Sequence, residues 1–205
     1  MLFLPYLMLK NPFEASPIEA RSLEELQPIE LPWEEVDKEQ LNPEELDPWA
    51  IKQEGVHVFR AKTDVKFKTQ TLVLDALKFE DLIGDATYLL RVYKNDAHVY
   101  ASISLRREPK EIYAHDAVIK RDPHRILAKG LGVELYKIIL SLIQRHADMT
   151  KLPVRHTVER VVELSSTPMT TNRWDEIFVP ILTSSGYVKS RPSGSEWFKL
   201  YKPEG

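Results

Sequence analysis

The chain has 205 residues, 43% hydrophobic and 29% charged, with a net charge of −3 and no cysteine. This length fits one domain with an appendage, and the apolar content is enough for a core, so global disorder is excluded. Disulfides, thiolate metal sites and a thiol nucleophile are excluded with cysteine, and a reducing compartment fits that.

The first 54 residues differ from the rest. They hold thirteen acidic and four basic residues, seven of the fourteen prolines and no glycine. The remainder holds eighteen acidic and twenty-four basic residues, so an acidic arm precedes a mildly basic body. The apolar start, Met1 to Leu9, is too short to cross a bilayer and lacks the basic leader of a signal peptide, so neither is expected. The prolines recur too often for a long helix or a central strand. Apolar residues such as Ile18, Leu23, Leu26, Leu31, Trp33 and Trp49 still punctuate the acid, more than a pure linker needs. The expected arrangement is an extended arm, 1–54, docking on another subunit or a protein partner.

The body, 55–205, opens with a strand over 56–60. Leu72, Leu74, Ala76, Leu77, Phe79 and Leu82 predict a helix over 69–82, ended by Gly84. Strands over 87–94 and 97–105 flank a tight Asn95-Asp96 turn. Ala97, Val99, Ala101, Ile103 and Leu105 face one way in the second of them. Another strand covers 111–120. The loop Asp122-Pro123-His124-Arg125 then leads to Gly130-Leu131-Gly132 and a helix through about His146. The narrow polar stripe of that helix, Glu134, Lys137, Ser141 and Arg145, predicts that it is largely buried. A strand over 157–164, a helix over 171–185 kinked at Pro180, and a hairpin of 187–191 with 196–201 complete the chain.

This order of elements, with Asp122-Pro123 before Gly130-x-Gly132 and Ser185-Gly186-Tyr187 at the last corner, resembles the GNAT acyltransferases over roughly residues 56–202. The resemblance implies an α+β fold: a mixed, mainly antiparallel sheet with helices on both faces, plus the extended N-terminal arm. It also implies coenzyme A or acetyl-CoA as ligand, with its pantetheine between splayed strands ending near Lys120 and starting near Thr157. Glycines admit an anion close to backbone N–H groups at a positive helix end, so Ala128, Lys129, Gly130, Leu131 and Gly132 would hold the pyrophosphate, with Arg125 beside them.

The sequence departs from the family at two places. Leu127 stands at the usual loop Arg or Gln, and Leu182 where many members carry a tyrosine acid. A general base would come from the strands, with His115, Asp116, Glu159 and Glu163 as candidates. The six histidines show no metal-ligand spacing, and Ser165-Ser166 and Ser184-Ser185 lack a nucleophile elbow. No third glycine supports a dinucleotide fold, and no Gly-Lys-Ser/Thr supports a P-loop. Arg106, Arg107, Lys120 and Arg121 suit phosphate, but no aromatic platform is legible beside them, so nucleic acid is not the expected partner. Two functions follow as expectations. The first is a degenerate, non-catalytic binding or assembly module in the cytoplasm or in a particle assembled there, a phage particle component for example. The second is an acyl-CoA-dependent N-acetyltransferase acting on an amine.

Overall fold

The structure is a computed structural model that describes residues 21–26, 31–41, 55–121, 128–159, 171–191 and 196–204. Among these residues the chain is α+β: a mixed, mainly antiparallel sheet of ten strands with two α-helices. The strands are β1 (Arg21–Ser22), β2 (Glu34–Val36), β3 (His57–Phe67), β4 (Gln70–Glu80), β5 (Ala86–Lys94), β6 (Ala97–Arg107), β7 (Ile112–Arg121), β8 (Val154–Glu159), β9 (Val188–Lys189) and β10 (Glu196–Tyr201). The helices are α1 (Leu131–Thr150), between β7 and β8, and α2 (Thr171–Ser184), between β8 and β9.

Strands β3 to β7 form one antiparallel meander, β7 and β8 run parallel, and β10 lies antiparallel between β8 and β9. The expected hairpin of β5 and β6 is present, closed at Lys94 and Ala97. The segment expected as a helix over 69–82 is instead β4, joined to β3 by a two-residue turn at Lys68-Thr69. The reason lies in its two faces. Leu72, Leu74 and Ala76 face α1, while Leu77 and Phe79 point the other way into a smaller cluster with Leu41 and Val58. A strand buried on both faces shows no alternation, and its apolar run then mimics a helix.

Both helices lie on one face of the sheet, where helices on both faces were expected. Leu135, Ile139, Leu142 and Ile143 of α1 share one core with Ile181 and Leu182 of α2, and the Tyr136 and Phe178 rings meet edge to face at 5.3 Å. Pro180 is accommodated inside α2. The strand expected over 157–164 begins earlier, at Val154, and residues beyond Glu159 lie outside the described set.

The described parts of the arm are built into their own domain. Leu23, at 1% exposure, and Leu26 and Leu31 are buried in the main core, with Trp33 packed against it. They fill the helix-bearing face over β3 to β5. β1 pairs in parallel with β3 at Val65-Lys66, and β2 pairs antiparallel with it at Val58–Arg60. The arm thus covers stretches of an otherwise open sheet edge.

Candidate functional site

The site grows from one irregularity in the sheet. β7 and β8 share three parallel rungs, Ile112 with Val154, Tyr113 with Arg155 and Ala114 with His156. Beyond them both strands continue without pairing to each other, so the sheet opens into a V. A bulge in β7 lies next to the last rung. Ser102 pairs with Val118 and Ser104 with His115, so Asp116 and Ala117 together oppose Ile103. An extra residue on one strand bends it and increases its twist.

The V opens toward the end of the sheet where α1 begins. Gly130 caps that helix with φ +96°, a region that disfavours side chains. The N–H of Leu131 points to Ala128 O at 3.4 Å, and those of Val133 and Glu134 to Gly130 O at 3.0 and 3.3 Å. Among the described residues, the N–H groups of Gly130 and Gly132 have no backbone acceptor. They are what the loop offers an anion. A neighbour the sequence did not suggest closes the loop from the side. Lys68, at the tip of the β3–β4 hairpin, donates from Nζ to Lys129 O at 2.7 Å, and the Phe67 ring comes within 3.8 Å of where a Gly130 Cβ would stand.

The predicted residues separate into groups. Ala128 to Gly132 form the loop and the start of α1, at the mouth of the V. His115 is exposed at the apex, one residue past the last rung, and stacks on Tyr113 with centroids 6.0 Å apart. Asp116 belongs to the bulge and Glu159 ends β8, but both side chains lie outside the described set, as do Arg125 and Glu163 entirely. Leu182 is buried in the core of the helix-bearing face, so it places no polar group at the V.

A buried polar cluster under the apex was missed in the sequence. Tyr187 O–H and His156 Nδ1 share a short hydrogen bond, and Tyr187 and Tyr201 hydroxyls meet at 2.8 Å. Burial, with a smaller contribution from His115, pushes the His156 pKa down to about 4, so the ring is neutral at pH 7. Burial pushes the hydroxyls of Tyr187, Tyr201 and Tyr136 well above the ordinary range. Tyr136 O–H, within a residue only 3% exposed, has no hydrogen-bond partner among the described residues. The signal that would have found His156 is the alternation of Val154, His156 and Val158 after Pro153.

On the opposite face, Asp75 holds two guanidiniums. Arg60 reaches it through Nε at 2.9 Å and Nη2 at 2.6 Å, and Arg91 through Nη2 at 2.9 Å. Burial alone would raise this carboxyl, but the hydrogen bonds and charges of the two arginines outweigh it and hold it below its usual value. Among the described residues no group of His, Asp or Glu has the geometry of a metal site, and no helix is long and apolar enough to cross a membrane. No protein-family model matches the chain, and no curated protein matches it in sequence.

Proposed function

We propose that the chain is a GNAT-like domain that seats coenzyme A, or an acyl-CoA, in the V between β7 and β8, and that it works as a binding or assembly module. The observation that carries this reading is the coincidence of three features at one end of the sheet. Two parallel strands part next to a bulge, the gap opens toward a left-handed glycine, and that glycine starts a twenty-residue helix. Unpaired strand edges suit an extended pantetheine, and the amides of Gly130 and Gly132 suit its pyrophosphate. When bound, an acyl-CoA supplies an activated acyl group as a thioester.

Module rather than efficient enzyme is favoured by what surrounds the V. Leu182 stands where the resemblance asks for an acid, and the Tyr187 and Tyr201 hydroxyls are tied to each other and to His156 in the core. Exposed His115 favours the second reading, an N-acyltransferase in which His115 takes the proton of an attacking amine. A protein partner or a second copy for the arm, residues 1–54, stays part of this proposal, although its segments 21–26 and 31–41 are spent largely on their own sheet.

Calorimetry with coenzyme A on the full chain tests the binding reading. Saturable binding supports it, and no heat at millimolar ligand overturns it. Release of free thiol from acetyl-CoA that depends on an added amine, and falls about a hundredfold or more in His115→Ala, would favour the transferase over the module.

A further inference from the structure

Where the arm meets the sheet, the core contains ionisable groups that an apolar contact does not need. Trp33 meets the Tyr88 ring edge to face, with centroids 6.4 Å apart. Tyr88 in turn shares a 3.2 Å hydrogen bond with His146 Nδ1 of α1. His146 is fully buried, and among the described residues its Nε2 has no hydrogen-bond partner. Lys78 and Glu80 of β4 form an ion pair nearby, Lys78 lies over the Phe59 ring of β3, and Arg107 of β6 and Arg145 of α1 add positive charge. A proton on His146 would therefore add a fourth positive charge to Lys78, Arg107 and Arg145, with Glu80 as the carboxylate acting on His146 among the described residues.

We propose that the arm segments Arg21–Leu26 and Leu31–Val36 form a strap that acid releases, with the His146–Tyr88 pair as its latch. At neutral pH the neutral imidazole accepts or donates at Tyr88, Tyr88 stands fixed, and Trp33 packs on it. Among the described residues protonated His146 has no acceptor at Nε2, and it faces Lys78 and Arg107. Hydration then becomes the lower-energy state for the charged ring, and reaching water requires Tyr88, with the Trp33 ring of the strap packed on it, to give way. Strap opening is thus coupled to uptake of one proton.

The coupling has a definite sign and size. Burial first, then Lys78 and Arg107, hold the closed-state pKa of His146 near 4, with Glu80 opposing them, whereas an opened site approaches the ordinary value of 6.5. Linkage then makes strap opening about twentyfold more favourable at pH 5 than at pH 7, and nearly constant above pH 7.

Hydrogen exchange of the full-length chain, corrected for intrinsic rates, measures this directly on peptides spanning residues 21–41. The expected result is about twentyfold greater opening at pH 5, while peptides of α1 keep their protection. His146→Phe should remove the pH dependence. If that variant does not fold, Tyr88→Phe serves instead: it removes the Nδ1 partner and should raise strap opening several-fold at pH 7. Equal opening at both pH values overturns the proposal. So does an unchanged pH dependence in His146→Phe, joint loss of protection in strap and α1, or unchanged opening in Tyr88→Phe.

Discussion

Ala114 and His156 form the last rung between two parallel strands, and everything proposed for ligand binding lies beyond that pair. Above it the backbone groups of β7 and β8 are freed from each other. Below it the sheet is continuous, and the His156 side chain is locked into the core.

If the V holds a pyrophosphate-bearing ligand, Gly130 is its most sensitive position. Its φ of +96° strains any side chain by about 1–3 kcal/mol, and an aspartate adds negative charge where an anion would sit. Gly130→Asp should bind no coenzyme A by calorimetry while retaining the wild-type far-ultraviolet spectrum. Unchanged affinity in that variant would show that the ligand, if bound, lies elsewhere.

The arm should prove a large source of the domain's stability. Leu23→Ala removes a side chain at 1% exposure from the main core and should cost about 2–5 kcal/mol in urea denaturation. Removing residues 1–41 takes away Leu23, Leu26, Leu31 and Leu41 together. That truncation should melt well below the full chain while α1 and the sheet still fold, as a strap that opens by itself requires. A truncated body with unaltered melting would mean that these contacts add nothing.

Asp75 links β3, β4 and β5 through two arginines. Asp75→Asn keeps the shape but leaves two guanidiniums facing each other, and should cost about 1.5–3 kcal/mol. Its pKa is depressed in the fold from 3.8, so its contribution is present in full above about pH 4 and is lost as pH falls through the lower folded value. Acid titration of wild type and variant, followed by circular dichroism, should therefore converge only well below pH 4.

Tyr136 offers a test of opposite sign. Its hydroxyl is buried without a partner among the described residues, so Tyr136→Phe should leave stability unchanged or raise it by about 1 kcal/mol. Thermal denaturation decides this. A clear loss of stability would reveal a partner for the hydroxyl, such as an internal water.

The legible parts of the fold were those with one wet face. β6 alternates Ala97, Val99, Ala101, Ile103 and Leu105 against polar neighbours, so strand and inward face could both be read. The glycine pair fixed where α1 begins. β4 was illegible because apolar side chains lie on both its faces, and periodicity then carries no information. The place of Leu23, Leu26 and Leu31 in the core was illegible because the strand the arm pairs with is distant in sequence, as Arg21 and Val65 show. The apex of the V was half legible. His115 was noticed as a polar residue before a glycine loop, but His156 depends on a register between β7 and β8 that only the parallel pairing reveals.

The way β1 and β2 clip onto β3 also bears on how the protein ages in solution. β3 is eleven residues long, and among the described residues its outer side meets only these two short arm strands. A protease cut that frees the arm would bare hydrogen-bonding groups on a strand that pairs along its whole length with β4. Such an edge is a template for another copy. Nicked material should therefore be lost to aggregates rather than accumulate as a soluble fragment, and preparations that keep the arm intact should stay dispersed.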